Sequence, residues 1–207
     1  MKRIAVLVSG GGTNLQALID AQTRGELGKG QIVAVISSKA GAYALERAKN
    51  AGIEGYVLPR KEFDSNKAMT VALVELLRKL EIDLVVLAGC MVIFTGELVQ
   101  AYPNAIMNVH PALIPSFCGP GYYGLRVHEE ALKYGVKLTG ATVHFVSEEC
   151  DDGPIIAQKA VEVRPDDTAE VLQRRVMEQA EWILLPQAVK AFCEDRITVD
   201  GRTVIIA

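Results

Sequence analysis

Short, continuously apolar segments alternate with segments of helical periodicity along most of the chain, and this alternation constrains the fold more than any other feature. Apart from their ends, the segments in the first half are apolar throughout: Ile4–Val8, Ile32–Ile36, Tyr56–Leu58, Asp83–Ala88 and Ala105–Val109. Strands of this kind are buried on both faces, as in a parallel sheet covered by helices. The sequence therefore predicts a Rossmann-like, doubly wound and mostly parallel α/β sheet.

Helical periodicity separates these strands, and the pattern changes after Gly140. Helices are predicted over about Asn14–Arg24, Ala42–Ala51, Ser65–Leu80 and Leu125–Tyr134. Two later segments, Ala141–Val146 and Ile155–Val163, alternate in part, which is typical of mixed or antiparallel strands.

The C-terminal part carries three local signals. A last helix is predicted to begin near Asp167, with Asp167 and Glu170 as a capping pair, and to be kinked or interrupted by Pro186. Asp200-Gly201 between two β-branched segments predicts a type I′ hairpin. Because no repeat or linker separates any part of the chain, residues 1–207 are expected to form one domain.

Composition excludes several classes of protein. Half of the 207 residues are hydrophobic, but no apolar segment reaches the roughly 18–20 residues of a membrane span. A net charge of −3 gives no electrostatic reason to expect nucleic-acid binding. The four cysteines form no CxxC pair, so neither a zinc site nor a disulfide framework is indicated. A cytoplasmic protein without a metal is expected, and its N-terminus is a first strand rather than a signal peptide.

A glycine-rich loop, Ser9-Gly10-Gly11-Gly12-Thr13-Asn14, joins the first strand to the first helix. Free amides and the helix N-terminus favour a phosphate there. The lysine of a Walker loop is absent, and Leu15 stands where a dinucleotide fingerprint needs its third glycine. A small phosphomonoester therefore fits best, although a tight turn without a ligand would give the same pattern.

Asn108 and His110 stand two residues apart at the end of a strand, before Pro111. Their side chains should share a face at the carboxyl edge of the sheet, where α/β proteins bind ligands. Asp151 or Asp152, in the later loop EECDDGP, could pair with His110, favour its imidazolium form and fix its orientation. The three groups would stabilise an oxyanion and transfer a proton without a covalent enzyme intermediate. A purely structural trio remains the alternative.

Three other residues carry simpler interpretations. His128, on a predicted helix, and His144, inside a predicted strand, are expected to be packed or hydrogen-bonded rather than metal ligands. The single tryptophan, Trp182, is expected to lie in the core.

Taken in order, these segments resemble the folate-dependent phosphoribosylglycinamide formyltransferases. The likeness covers most of the chain, in segments 9–21, 36–53, 83–94, 108–115, 139–156 and 178–186. The resemblance implies transfer of a formyl group from 10-formyltetrahydrofolate, as co-substrate, to the amine of a phosphoribosylglycinamide in purine biosynthesis. Its partners would be small molecules rather than nucleic acid or membrane, and the protein would be a monomer or homodimer.

The resemblance also assigns roles by position. Asn108, His110 and Asp151 would be catalytic. The ribonucleotide would be held by Gly12, Thr13 and Asn14 at its phosphate, with Glu178 and Glu181 as a second contact. The folate would be lined by Met91, Val92, Ile93 and Phe94, by Asn108, and by Ser147, Glu148, Glu149, Cys150 and Asp151.

Several positions depart from the family pattern. Val92 and Asn66 stand where arginine is frequent, Arg126 replaces a frequent histidine, and Asp152 stands where a small residue is usual. Loop 116–124 is about five residues longer than the common form. Two alternatives therefore remain open: another formyltransferase, such as one acting on methionyl-tRNA, and a non-catalytic phosphate- or folate-binding module.

Overall fold

A computed structural model describes residues 1–207 as nine strands and seven α-helices. The strands are β1 (Lys2–Val8), β2 (Gly30–Ser37), β3 (Glu54–Val57), β4 (Leu84–Leu87), β5 (Ile106–His110), β6 (Leu138–Phe145), β7 (Ile155–Glu162), β8 (Ile197–Asp200) and β9 (Thr203–Ile206). The helices are α1 (Thr13–Thr23), α2 (Tyr43–Asn50), α3 (Asn66–Lys79), α4 (Gly96–Ala101), α5 (Leu125–Tyr134), α6 (Ala169–Val176) and α7 (Trp182–Cys193). Every predicted strand and helix is present, and only the short α4 was not predicted.

Seven strands form one sheet in the order β3-β2-β1-β4-β5-β6-β7. β1 to β5 are parallel, whereas β6 runs antiparallel to β5 and β7 antiparallel to β6. This arrangement confirms the predicted doubly wound sheet with mixed strands toward the C-terminus. The order changes direction between β1 and β4, and crevices at such a point bind ligands in open α/β sheets.

Burial on both faces explains why the strands have no polar alternation. Ile4, Val6 and Val8 of β1 enter a cluster of 31 buried residues on one face, together with side chains of α1 and α7. The alternate residues Ala5 and Leu7 enter a cluster of 12 on the other face, against α3 and α4. The β1 side chains from Ile4 to Val8 therefore lose their contact with water on folding, which stabilises the sheet.

The predicted cap of the last helical segment is wrong. Helix α6 begins at Ala169, and the Thr168 hydroxyl accepts a hydrogen bond from the Val171 amide. The carboxylate of Asp167 instead forms a bidentate ion pair with Arg175, with both N–O distances at 2.6 Å. A buried guanidinium fork satisfies both carboxylate oxygens better than a terminal amide can, which draws Asp167 away from the capping position.

Pro186 does not interrupt its helix. Helix α7 continues from Trp182 to Cys193 with Pro186 inside it. The irregularity lies one turn earlier, where residues Met177–Glu181 form a wide π-helical turn between α6 and α7. Such turns are frequent at functional sites, and this one displaces the side chains that follow it from ordinary helical spacing.

The C-terminal hairpin is present, but its turn differs from the predicted type. Asp200 pairs with Thr203, so the two loop residues are Gly201 and Arg202. Only Gly201 has a positive φ, of 56°. A type I′ turn needs positive φ at both loop residues, whereas a positive φ at the first alone is the pattern of type II′. No helix in the structure is long and apolar enough to cross a bilayer.

Candidate active site

The end of β5 brings two polar side chains to the carboxyl edge of the sheet. Asn108 lies opposite His144 of β6, and His110 lies opposite Thr142, two residue pairs further along the antiparallel ladder. His110 is buried, with 4% of its surface exposed. The two side chains therefore share a face, because residues two apart on a strand point the same way.

The loop after β6 places Asp151 against both of these side chains. One carboxylate oxygen lies 3.5 Å from His110 Nδ1, and the other accepts from the Asn108 amide at 3.4 Å. The Gly119 amide also donates to Asp151, at 2.9 Å. Burial alone would raise the pKa of Asp151, but the contacts with histidine and with the amide outweigh it and lower the pKa to about 2. Asp151 is therefore a carboxylate throughout the physiological range.

His110 is less basic than the sequence suggested. Burial lowers the pKa of His110 below its ordinary value, although the Asp151 carboxylate and the Phe117 carbonyl both act to raise it. The expected influence of Asp151 is present, but it does not raise the pKa of His110 overall, because desolvation is the larger effect. Nε2 faces the Phe117 carbonyl at 2.8 Å and Nδ1 faces Asp151. Each ring nitrogen therefore faces a hydrogen-bond acceptor, so a proton that the ring gains during a reaction would be stabilised.

His144 belongs to this cluster, and sequence reasoning missed it. Its Nδ1 donates to the Phe145 carbonyl at 2.8 Å, which directs Nε2 toward the site. Nε2 lies 3.2 Å from the Asn108 amide nitrogen and 3.7 Å from Asp151. The prediction that His144 is a hydrogen-bonded histidine on a strand is confirmed, but its place in the site was not predicted. Alternation with Thr142, two residues earlier on β6, was the signal that would have placed it on the same edge.

Side chains of β6 and β7 fix the chain that leaves β5. The Thr142 hydroxyl donates to the Ala112 carbonyl at 2.7 Å and accepts from the Ile114 amide at 3.1 Å. Gln158 donates to both the Ile114 carbonyl and the Thr142 hydroxyl. These hydrogen bonds, of which the two between the Thr142 hydroxyl and the Ala112–Ile114 backbone are buried, hold His110 at a fixed angle together with the prolines of this segment.

The glycine loop has the form of an anion site. Gly12 is the N-cap of α1 at φ 71°, and a Cβ there would lie 2.7 Å from the Ala44 methyl group. Gly10 and Gly11 face open space instead. None of the three amides donates to a carbonyl of the chain. Arg47 donates to the Gly11 carbonyl at 2.8 Å and so adds a positive charge beside these free amides.

Glu181 reaches this loop from the π-helical turn, whereas Glu178 does not. The Asn14 amide donates to the buried Glu181 carboxyl at 2.7 Å, and burial raises the pKa of Glu181 to about 7. Glu178 remains on the surface in an ion pair with Arg174. Thr13 is exposed and contacts Met177 of the same turn, at 3.7 Å. The structure thus brings one of the two predicted glutamates to the candidate phosphate loop.

The predicted folate segment lies beside the catalytic cluster, after β4. The Ser9 hydroxyl accepts from the Met91 amide at 2.8 Å and so ties this segment to the glycine loop. Met91 and Ile93 are 53% and 71% exposed, while Val92 and Phe94 line a small apolar cavity of about 10 Å³. Two exposed apolar side chains beside a buried polar cluster suit a flat, partly aromatic ligand.

The second predicted folate segment, from Ser147 to Asp151, forms the loop that carries the acid. The Ser147 hydroxyl donates to the Glu149 carbonyl at 3.0 Å, and Glu148 accepts from Gln100 of α4 at 3.4 Å. Cys150 is exposed. Asp151 is the residue of this loop that contacts His110, whereas the Ser147 and Glu148 side chains bond within the loop and to α4. No group of three or more histidine, cysteine or acidic side chains is placed to hold a metal ion.

Asn66, one of the positions that depart from the family pattern, has a partner of its own. Asn66 accepts a hydrogen bond from Arg60, so an arginine lies near this position although none occupies it. Trp182 lies at the start of α7, lining an open groove beside Thr13, and its indole nitrogen is buried without a partner. Trp182 was expected to lie in the core, but only part of its side chain is buried and the rest lines the groove.

The fold and this cluster define a formyl transferase. The model of the formyl transferase family matches residues 2–189, and the chain belongs to that family. It is 44% identical over 197 residues to the phosphoribosylglycinamide formyltransferase of Haemophilus influenzae, covering 95% of this chain and 90% of that protein. The chloroplastic enzyme of that name from Vigna unguiculata is 39% identical over 196 residues, which are 95% of this chain and 62% of that longer protein.

A solved structure supports the same assignment. Glycinamide ribonucleotide transformylase 1 from Symbiobacterium toebii superposes with a TM-score of 0.94 at 44% identity, covering 100% of this chain and 94% of that one. The family resemblance seen in the sequence is therefore confirmed.

Proposed function

We propose that this protein transfers the formyl group of 10-formyltetrahydrofolate to the amine of N1-(5-phospho-D-ribosyl)glycinamide. The products are the N-formyl compound and tetrahydrofolate, in de novo purine synthesis. The observation that carries the proposal is the buried contact of Asn108, His110 and Asp151 at the sheet edge, beside a glycine loop with free amides. Relatives with the corresponding name cover most of this chain.

The reaction needs a donor to the formyl oxygen and a carrier for one proton. The amine attacks the formyl carbon, and the oxygen becomes an anion that the Asn108 amide and the His110 Nε2–H stabilise. The proton that the amine loses passes through water to the His110–Asp151 pair, where Nδ1 carries no proton, and from the pair to the departing N10 nitrogen. Asp151 stabilises the imidazolium while it exists. In the free protein the Phe117 carbonyl accepts the hydrogen bond from His110 Nε2–H, and the formyl oxygen replaces this carbonyl when the substrate binds.

The substrates take positions on either side of this cluster. Gly12, Thr13 and Asn14 hold the ribonucleotide phosphate, and Glu181 accepts from a ribose hydroxyl. Glu178 is at most a peripheral contact, since it pairs with Arg174. The pterin lies against Met91–Phe94 and the backbone of Ser147–Asp151. Residues 1–207 act as one formyltransferase domain, without a metal, on small molecules rather than nucleic acid or membranes.

The assay mixes pure protein with 10-formyltetrahydrofolate and glycinamide ribonucleotide, with absorbance reporting loss of the formyl group and mass spectrometry reporting the product. Absence of product at micromolar protein would rule out the proposal. Formylation of methionyl-tRNA instead would favour the related transferase. Tight binding of either ligand without turnover would favour a non-catalytic module.

Asp151→Asn tests the assigned roles. Loss of the carboxylate leaves the His110 imidazolium without its counter-charge, so kcat should fall by about 100-fold or more, with KM values little changed. Full activity in this variant would contradict the pairing of Asp151 with His110. The pH dependence of kcat should also flatten, because the proton carrier has lost the group that tunes it.

A further inference from the structure

Asp151 has a backbone conformation that its neighbours must maintain. Its φ is 56°, in the left-handed region that residues other than glycine hold only where the surroundings fix it. On the C-terminal side, Gly153 packs so closely that a Cβ would lie 1.7 Å from the Phe145 carbonyl oxygen. Asp152 lies between these two constrained residues, and its side chain is 59% exposed. Fixing Asp152 therefore restricts the whole turn.

The C-terminal hairpin supplies a partner for Asp152. The two terminal nitrogens of Arg202, in the hairpin turn, reach the two Asp152 oxygens at 3.1 and 3.2 Å. A guanidinium that engages both oxygens fixes the orientation of a carboxylate, which a single ammonium contact does not. The hairpin itself is closed at its base, where the Ala207 amide donates to the Arg196 carbonyl at 2.9 Å. Arg202 thus extends from an ordered element.

We propose that Arg202 and Asp152 are positioning residues: the pair clamps the turn that holds Asp151 against His110. This role rests on the proposed function only where turnover is concerned. Neither side chain touches His110 or Asn108, and the pair is too exposed to contribute much to global stability. Its effect is local, because it limits how far the Asp151 carboxylate drifts from His110 Nδ1, now 3.5 Å away.

The clamp predicts the sign of a change in the pKa of His110. The titratable groups that face His110 are Asp151, His144 and His128, and of these the Asp151 carboxylate raises its pKa. Removing the positive charge of Arg202 would by itself raise the pKa of His110, since a nearby cation disfavours imidazolium. Release of Asp151 acts in the opposite direction. A clamp and a simple charge effect therefore give opposite results.

The experiment is an NMR titration of isotope-labelled histidine in the full chain, in which three histidines give three assignable signals. In Arg202→Ala, the pKa of His110 should fall below that of the parent. Arg24→Ala is the matched control, because Arg24 forms a comparably exposed pair with Glu26 on another part of the surface. It should leave the His110 titration unchanged. An unchanged or raised pKa of His110 in Arg202→Ala would overturn the proposal.

Charge reversal tests the same pair through turnover. Asp152→Arg and Arg202→Asp should each lower kcat by about threefold to tenfold, the size expected of a displaced but intact catalytic group, with KM within about twofold. The double variant Asp152→Arg/Arg202→Asp restores the pair and should recover most of the loss. A double variant no better than the two single losses combined would contradict the clamp. The NMR titration stands even if the formyl transfer assay fails, so the two proposals are tested separately.

Discussion

At the scale of single residues, two buried acids in this protein have opposite protonation behaviour. Asp151 is held ionised by histidines and a backbone amide, with its pKa lowered to about 2. Glu181 has one amide donor in an otherwise desolvating position, and its pKa is raised to about 7. Environments that separate the pKa values of like groups are typical of sites with divided roles. Glu181 is thus placed to donate or accept a hydrogen bond near neutral pH.

Glu181→Gln should stabilise the free protein at alkaline pH. Because the folded-state pKa of Glu181 lies above its unfolded value of about 4.5, the parent loses stability as the pH rises from about 4.5 through 7, and glutamine does not titrate. The stability advantage of the variant should grow by up to ~3 kcal/mol between pH 4.5 and 8. Denaturant unfolding at several pH values measures this difference.

A second measurement separates stability from function at the same residue. If Glu181 contacts the ribose, the KM for the ribonucleotide should rise in Glu181→Gln while the KM for the folate stays the same. A stability difference that does not change with pH would show that Glu181 titrates normally. An unchanged KM for the ribonucleotide would remove Glu181 from the substrate site.

At the scale of elements, the junction of α6 and α7 depends on one bidentate, partly buried ion pair. The side chains of Asp167 and Arg175 are 2% and 10% exposed, and the pair ties the segment before α6 to its last turn. The π-helical turn that carries Glu181 follows directly. The position of Glu181 against Asn14 therefore depends on an element that is fixed from its other end.

Asp167→Ala should destabilise the protein by about 2 kcal/mol, because it leaves the partly buried Arg175 guanidinium without its counter-charge. Arg174→Ala is the control, since it removes an exposed pair with Glu178 and should cost less than about 1 kcal/mol. Thermal and denaturant unfolding measure both. Equal losses in the two variants would show that burial does not set the strength of the Asp167 pair.

At the scale of the whole molecule, much of the architecture can be predicted from local sequence patterns. Strands buried on both faces leave a continuous apolar signal, so the sheet and its class were predictable from segments such as Ile4–Val8. Asn108 and His110 were identifiable because polar residues end such a strand. Contacts between distant segments leave no comparable signal, and the joining of His144 to the site required the register of β5 and β6. Arg202 likewise meets Asp152 only through tertiary packing.

Acid sensitivity of the folded state should arise in part from His128. This side chain has no exposed surface, both ring nitrogens lack partners, and burial lowers its pKa to about 4. The unfolded chain binds a proton near pH 6.5 and the folded one only near 4, so stability falls as the pH drops through this window, by up to ~3 kcal/mol.

His128→Leu removes the titrating group and two unpaired polar atoms at similar volume. The variant should lose less stability than the parent between pH 6.5 and 4, as followed by denaturant unfolding at fixed temperature. Parallel curves for the two proteins would show that other groups cause the acid sensitivity.

The pairing register of β5 and β6 determines which insertions the active site tolerates. Asn108 pairs with His144 and His110 pairs with Thr142. The connection between the two strands spans residues 111–137. A residue inserted after position 119 of that connection shifts no residue pair, whereas residues 112–119 carry the hydrogen bonds to Thr142, His110 and Asp151. One inserted between Thr142 and His144 turns every later side chain of β6 to the opposite face of the sheet. Related chains can therefore differ in the length of the connection after residue 119, while the spacing inside β6 is closed to single insertions.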